Sequence, residues 1–225
     1  MPSNSQPRYA IATVTAVGKD LALTLREKLG KEIPIYTTPR LADDRVIAIE
    51  GRVVEALGQL FQEVDVLICI MAIGAVVRAI APVLKDKATD PAVVVMDEKA
   101  TNVISLLSGH LGGANQVTLD IAELLGSNPV ITTATDVQNV TALDSLAQSV
   151  NGWRPELREF IKPFNSYLGS GRTVYFYQEK DWVTDLRGLT LVDEEELAAV
   201  LKGTEPLILL TIEKKDIQRD NLALI

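Results

Sequence analysis

The chain of 225 residues contains few of the residues that build disulfide or metal scaffolds. Its only cysteine, Cys69, lies in an apolar run, which excludes an internal disulfide and predicts a buried thiol in a reducing compartment. Its only histidine, His110, has no Cys, His or acidic residues at a spacing typical of zinc ligands. We therefore expect no metal bound by the protein itself.

Long apolar segments and basic clusters are also missing. Every apolar run is far shorter than the ~20 residues that cross a bilayer. The polar start over residues 1–8 does not resemble a signal peptide. The formal net charge of −8 is unfavourable for nucleic acid binding, which needs clustered Lys and Arg. We expect a cytoplasmic protein that binds neither a membrane nor nucleic acid.

The residues that are abundant point to an α/β protein. Aromatic residues make up only 5% of the chain, and Val, Ile, Leu and Ala dominate the 47% that is hydrophobic, as in strands buried beneath helices. Apolar runs alternate with segments of helical spacing, which predicts a three-layer, largely parallel α/β domain over residues 1–139. The pattern then changes, and residues 140–225 are predicted to form a smaller α+β module.

The individual elements follow from the spacing of apolar residues and from glycine and proline at the ends. Strands are predicted at 9–14, 33–36, 64–70, 91–96, 103–107, 128–132, 173–177 and 207–212. Helices are predicted at 20–29, 52–62, 74–81, 114–125, 143–150, 153–167 and 194–201. We expect Pro163 to break the helix in which it lies.

Polar and glycine-rich segments are concentrated between residues 74 and 136, each where a predicted strand ends. Ligands of open α/β sheets bind at the carboxyl ends of strands, so we expect these segments to converge on one site. Arg78, Lys85 and Lys87 form a local basic group that can pair with ligand carboxylates. The alternative for each of these cations is simple solvation.

The segment 108–115, with three glycines before a predicted helix, is the most informative of these. Without Cβ atoms the loop can present the first N–H groups of the helix to an anion. The same glycines are equally compatible with a tight turn that needs positive φ. The spacing matches neither a P-loop nor a dinucleotide-binding fingerprint.

Acid–base candidates lie in the same region. His110 has an unperturbed pKa near neutrality and can act as a general acid or base, although it can also simply cap its own loop. The acidic candidates are Asp90, Asp97, Glu98 and Asp136.

Four segments in this order resemble the N-terminal domain of the cobalt-precorrin-5A hydrolase (CbiG) family of anaerobic cobalamin (vitamin B12) biosynthesis. They are GAVVRAIAP (74–82), DKATDPAVVV (86–95), VISLLSGHLGGAN (103–115) and VITTATD (130–136). The close resemblance covers about residues 64–137. Residues 8–63 fit more loosely, and 140–225 resemble the middle region of the family.

The resemblance implies a hydrolase that opens the δ-lactone of cobalt-precorrin-5A and releases acetaldehyde to give cobalt-precorrin-5B. No cofactor is implied, because the corrin substrate itself carries cobalt. His110 is the first choice for the catalytic base, with Asp136 or Asp97 as the second. The implied substrate-binding residues are Gly74, Arg78, Lys85, Lys87, Ser108, Gly109, Gly112, Gly113, Asn115 and Thr133.

Several alternatives stay open at this point. Family members usually continue into a C-terminal domain, so we expect a short form or a chain that receives this domain from another polypeptide. Other enzymes of the pathway are candidate partners, and the oligomeric state is open. His110 can instead be an axial ligand to the cobalt of the substrate. The protein can also be a non-catalytic module that hands on corrin intermediates, or a generic α/β domain for a small carboxylate or phosphate.

Overall fold

The computed structural model describes residues 7–86, 89–212 and 220–225. The chain divides into two compact units, Met1–Ile131 and Thr132–Ile225. The predicted domain boundary between residues 139 and 140 falls inside the second unit.

Over its described residues, the first unit contains a seven-stranded sheet and four α-helices. The strands are β1 (Tyr9–Thr13), β2 (Ile35–Thr37), β3 (Ile47–Ala48), β4 (Val66–Ile70), β5 (Ala92–Met96), β6 (Asn102–Leu107) and β7 (Asn128–Val130). The helices are α1 (Ala16–Leu29), α2 (Val53–Glu63), α3 (Ile73–Ile80) and α4 (Ala114–Leu125). Short 3-10 helices occupy Pro39–Leu41 and Ala81–Val83.

The sheet has the strand order β3-β2-β1-β4-β5-β6-β7. All neighbouring strands are parallel except β5 and β6, which are antiparallel. One face of the sheet packs against Leu25 of α1 and Ile121 of α4, and the other against Phe61 of α2 and Ile80 of α3. The predicted three-layer, largely parallel α/β domain is confirmed. Every residue of β4 is buried, as expected for a central parallel strand covered on both faces.

The ends of α1 show how local chemistry sets the element bounds. Thr15 caps the start of the helix by accepting a hydrogen bond from the N–H of Gly18 at 3.1 Å. Gly30 ends it in the left-handed region at φ 60°, which favours glycine. The helix starts four residues before the predicted Asp20, because these first residues lack the apolar spacing on which that prediction relied.

In the part of the second unit that the structure describes, there is a smaller sheet of four strands. Its elements are α5 (Ala134–Val137), α6 (Leu143–Ser149), α7 (Arg158–Gly169), β8 (Tyr175–Gln178), β9 (Thr190–Leu191), α8 (Glu194–Val200), β10 (Leu207–Leu210) and β11 (Leu222–Leu224), with a 3-10 helix at Pro155–Leu157. The strand order is β11-β10-β8-β9, and all pairs are parallel. The predicted smaller module is present. Its parallel pairing could not be read from the sequence.

The helix α7 corrects the prediction for Pro163. We expected a break there, but the helix runs through this proline to Gly169. A proline inside a helix costs about 3 kcal/mol, because a hydrogen bond is lost and its ring crowds the preceding turn. Burial of Ile161, Phe164 and Leu168 on one face of α7 offsets this, since each such side chain contributes about 1.5–3 kcal/mol.

The short elements β3, β9, β11 and α5 were not predicted. Each has only two to four residues, too few for an apolar period to show. Within the described residues, no helix is long and apolar enough to cross a membrane.

Candidate functional site

The direction of β6 decides where the candidate residues lie. Leu107, at the end of β6, is paired with Val93, near the start of β5. We name the edge of the seven-stranded sheet where β1, β2, β4 and β5 begin the amino edge, and the opposite edge, where they end, the carboxyl edge. Because β6 and β7 run the other way, the loop after β6 lies at the amino edge. The prediction that all the polar strand ends share one site is therefore wrong.

The carboxyl edge receives Gly74, Arg78 and Asp97. Gly74 lies in the first turn of α3, after β4. The exposed Arg78 lies one turn further along, and its Nη1 donates a hydrogen bond to the carbonyl oxygen of Gly74 at 3.0 Å. The guanidinium has further donors, so this bond does not prevent contact with a ligand.

Asp97 closes the turn between β5 and β6. Its carboxylate accepts hydrogen bonds from the backbone N–H groups of Lys99 at 3.0 Å, Thr101 at 3.2 Å and Asn102 at 2.8 Å. Burial raises the pKa of Asp97, but the hydrogen bonds from Asn102, Thr101 and Lys99 outweigh it and hold the pKa below its ordinary value. A carboxylate stabilised in this way is a poor proton acceptor. The geometry favours a turn-stabilising role over that of a base.

Glu98 makes a contact that the sequence did not indicate. The hydroxyl of Thr15 donates to Glu98 Oε1 at 2.6 Å. The bond reaches across the end of β4, where β1 and β4 lead into helices on opposite faces of the sheet. Such switch points commonly bind ligands in open α/β sheets. The two residues are 83 positions apart in the chain, so no local pattern reveals the pair.

At the amino edge, the loop after β6 joins the loop before β5. Ser108 Oγ donates to the carbonyl oxygen of Asp90 at 2.9 Å. The buried carboxylate of Asp90 accepts the backbone N–H of Lys85, with both oxygens at 3.1 Å. Asp90 thus links the side chain of Ser108 to the backbone of Lys85. Lys87 lies outside the described residues.

The glycines of this loop are required by its backbone. Gly113 has φ 82°, in the left-handed region that favours glycine. A Cβ on Gly112 would lie 2.4 Å from Ser108 Cβ and 3.2 Å from the backbone nitrogen of Ala92. The requirement for a tight turn is therefore sufficient to explain these glycines.

The predicted anion site at the start of α4 needs a correction. The N–H of Ala114 donates to the carbonyl oxygen of Ser108 at 3.1 Å, and the N–H of Asn115 to that of Gly109 at 3.0 Å. These two groups were expected to face a ligand, but the loop itself occupies them. Tight winding of the loop places its carbonyl groups directly over the helix start.

Asn115 is buried and holds the same loop. Its Oδ1 accepts the hydroxyl of Ser105 at 2.7 Å. A Cβ on Gly109 would lie 2.7 Å from this oxygen, so the amide packs directly beneath the loop. This position supports the loop more directly than it offers contact with a ligand.

His110 lies half-buried in the turn that Asn115 supports. Its carbonyl oxygen accepts the N–H of Gly113 at 2.9 Å, which fixes the backbone of the turn. The single imidazole of the chain is thus placed at the amino edge, beside the loop that contains Lys85 and Asp90.

Thr133 and Asp136 belong to the second unit. Thr133 Oγ1 donates to Asp136 Oδ2 at 2.5 Å, at the start of α5. The pKa of Arg187 is raised, chiefly by its hydrogen bond to Asp185 and in part by the charge of Asp136. The carboxylate of Asp136 thus has a hydroxyl donor and a nearby cation.

Two adjoining cavities open along the amino edge. The larger, of about 1030 Å³, lies between the ends of α1 and α2 and is bordered by Tyr9 and Tyr36. The smaller, of about 170 Å³, is lined by Lys85, Thr89 and Asp90 among others. Both are lined by Arg8 and Val64, so they adjoin along the edge.

The described residues contain no group of three or more His, Cys, Asp or Glu side chains that could hold a metal ion. Cys69 is completely buried in β4, and burial raises the pKa of its thiol to about 12. The predicted buried thiol is confirmed, and at neutral pH it is protonated and unreactive.

Comparison with known proteins places these loops in a family. Residues 55–136 match the family model described as cobalamin synthesis G N-terminal. The chain is 40% identical over 179 residues to the cobalt-precorrin-5A hydrolase of Salmonella typhimurium. It is 38% identical over 189 residues to the protein of the same name from Priestia megaterium. These matches cover 76% and 80% of this chain but 51% and 50% of the relatives, so the chain spans about half their length.

A solved structure supports the fold. The crystal structure of a cobalamin biosynthesis protein G homolog from Sulfolobus solfataricus superposes with a TM-score of 0.56 at 20% sequence identity. The match covers 96% of this chain and 58% of that one. The chain is thus an open-sheet α/β protein whose polar loops are divided between the two edges of the sheet. It belongs to the CbiG family, with the cobalamin synthesis G N-terminal domain at residues 55–136.

Proposed function

We propose that this chain hydrolyses cobalt-precorrin-5A, opening its δ-lactone and releasing acetaldehyde to give cobalt-precorrin-5B. The observation that carries the proposal is identity of about 40% to two proteins of that name. The matched domain at 55–136 includes the Ser108–Asp90 contact and His110, the acid–base candidate at the amino edge.

The reaction needs two proton transfers. Water adds to the lactone carbonyl carbon and the acyl–oxygen bond breaks, which leaves a carboxylate and a free hydroxyl. Loss of that hydroxyl proton then lets the neighbouring C–C bond break. Acetaldehyde leaves, and the electron pair passes into the corrin macrocycle. A group with a pKa near neutrality suits both transfers, and His110 is the side chain of this chain with such an ordinary value.

The test is anaerobic incubation of the full chain with cobalt-precorrin-5A, followed by assay of acetaldehyde. We expect one acetaldehyde per substrate consumed. A spectral change of the corrinoid without release of acetaldehyde would show binding without hydrolysis, and would favour the alternative of a non-catalytic binding module.

The role of His110 is tested separately by His110→Ala. We expect turnover to fall by about 10²–10⁴-fold, as for loss of a general base, with substrate binding nearly unchanged. Weaker binding together with an altered corrin spectrum would instead indicate an axial ligand to cobalt. Turnover near the wild-type rate would exclude both roles for this residue.

A further inference from the structure

We infer that the corrin precursor binds along the amino edge of the first unit, with carboxylate side arms held by Arg8 and Lys85. The inference takes the identity of the ligand from the proposed function. Its location comes from the two adjoining cavities, which we name together the amino-edge trough. Arg8 lies outside the matched family region and was not predicted as a site residue.

The larger cavity has the size and lining that a macrocycle requires. Its volume of about 1030 Å³ is at the upper end of the range for small-molecule sites. Apolar side chains of Leu29, Ile33 and Leu60 line it together with Tyr9 and Tyr36. Aliphatic and aromatic surfaces suit the apolar faces of a corrin ring.

The smaller cavity suits a single carboxylate arm. Its volume of about 170 Å³ is too small for the ring but large enough for an acetate or propionate group. Arg8 and Lys85 line it together with Asp65 and Asp90, so an arm that enters needs both cations to offset these acidic neighbours. Charge-assisted hydrogen bonds to a carboxylate are among the stronger polar interactions in proteins.

Both cations can change partners at little expense. Arg8 pairs with Asp65 at 3.3 Å, but the side chains are 66% and 49% exposed, and such surface pairs contribute little. Lys85 is exposed, and its contact with Asp90 uses its backbone N–H rather than its ammonium. A ligand carboxylate can therefore take over either cation without breaking a strong interaction.

The negative charge around the amino edge makes these cations necessary for binding a carboxylate. The C-terminal ends of α1 and α2 face the amino edge, and helix C-termini carry partial negative charge. The chain has a formal net charge of −8, and Glu32 and Glu63 also line the larger cavity. A polycarboxylate would be repelled here unless local cations neutralise its arms. Reversal of one such charge is therefore expected to have a large effect.

The trough ends beside the proposed base. Asp90 lines the smaller cavity, and its carbonyl oxygen accepts the hydroxyl of Ser108, two residues before His110. Neighbouring strands are about 4.8 Å apart, so the start of β5 is about 10 Å from that of β1. A ring in the larger cavity with an arm beside Asp90 can thus present one side to the His110 loop.

The test measures the affinity of the full chain for cobalt-precorrin-5A by anaerobic visible titration, with acetaldehyde assayed in the same samples. The variants are Arg8→Glu, Lys85→Glu and Arg78→Glu, with Arg8→Lys and Lys85→Arg as conservative variants. Arg52→Glu is the matched control, because the 79% exposed Arg52 pairs only with its helix neighbour Glu55 among the described residues. Thermal unfolding checks that each variant folds.

We expect Arg8→Glu and Lys85→Glu each to weaken binding on the order of tenfold or more, as for loss of a charged hydrogen bond. The conservative variants and Arg52→Glu should bind like the wild type. Unchanged affinity in both Arg8→Glu and Lys85→Glu would overturn the inference. A loss of affinity in Arg78→Glu alone would indicate that the ligand binds at the carboxyl edge instead. An equal loss of affinity in Arg52→Glu would overturn the inference too, because the effect would then come from the net charge of the protein. If binding depends on Arg8 and Lys85 but no acetaldehyde is released, the proposed function is wrong and the binding site stands. If acetaldehyde is released at the same rate in both charge reversals, the proposed binding site is wrong and the function stands.

Discussion

At the scale of single residues, the candidate site is defined by backbone conformation as much as by side chains. Ser108 adopts φ 57°, a conformation that costs a non-glycine residue about 1–3 kcal/mol. Its hydroxyl bond to Asp90 and the carbonyl contact with Ala114 hold it there. Backbone strain next to the only histidine is consistent with a functional loop.

Gly112 gives a direct test of how tightly this loop is packed. Gly112→Ala would place a Cβ 2.4 Å from Ser108 Cβ, so we expect a loss of about 1–3 kcal/mol in the free energy of unfolding. Gly169→Ala is the matched control, because no atom lies within 4 Å of its Cβ position and its φ is not positive. Urea denaturation of both variants measures the difference. Equal stability of the two would show that the loop relaxes freely.

At the scale of elements, the turn between β5 and β6 is the feature that divides the site. It reverses the chain, so β6 and β7 end at the amino edge and deliver the His110 loop there. The three backbone N–H groups bound by Asp97 stabilise this reversal. The residue predicted as a second base thus has a structural role at the opposite edge from His110.

Asp97→Ala separates these two roles. We expect the free energy of unfolding at pH 7 to fall by about 1–3 kcal/mol, because the turn N–H groups lose a charged acceptor. Turnover of the folded variant should stay close to that of the wild type. A large loss of turnover without loss of stability would restore Asp97 as a catalytic residue.

The sequence predicted the long elements well and the direction of β6 not at all. Apolar periodicity located α4 at both ends and β4 at its end, with the start of β4 two residues too early, because both elements bury a regular set of side chains. Whether a strand runs parallel or antiparallel depends on the connection before it, and the five residues between β5 and β6 are too few for a parallel crossover. That connection length was visible in the sequence and would have placed Ser108 at the amino edge.

The candidate site was predictable only where it is local. The glycine loop and its histidine are continuous in sequence, so their pattern identified them. Arg8 and Lys85 line one cavity although they are 77 positions apart in the chain, so no local pattern links them. The Thr15–Glu98 hydrogen bond was hidden for the same reason. Long-range contacts of this kind arise from strand order, which single-sequence patterns do not encode.

At the scale of the whole molecule, stability against acid follows from carboxylates in both units. Hydrogen bonds from Arg45 and Lys19 lower the pKa of Asp43. Burial raises the pKa of Asp65 and hydrogen bonds from Arg8 more than reverse this, while the bond from Arg187 lowers the pKa of Asp185. In the folded state, the pKa values of these three carboxylates and of Asp97 all lie below the ordinary aspartate value of 3.8.

When the pKa of a carboxylate is lower in the folded state than in the unfolded state, its ionised form stabilises the fold. This stability is fully present above the pKa of the unfolded state and is lost as the pH falls through the pKa of the folded state. We therefore expect thermal stability to be nearly constant from pH 7 to about pH 5 and to fall below about pH 4. Melting temperatures at these pH values in constant salt measure this. The difference between wild type and Asp97→Ala should shrink over the same acid range, and a constant difference would contradict the assignment.

The bond from Ser108 to Asp90 has a mechanical consequence. Because it fastens the serine two residues before His110 to the wall of the smaller cavity, neither loop can shift alone without breaking it. A ligand that displaces Asp90 would therefore also displace Ser108 and the backbone that leads to His110. Binding in the smaller cavity and the position of the proposed base His110 are therefore expected to be coupled through the hydroxyl group of Ser108.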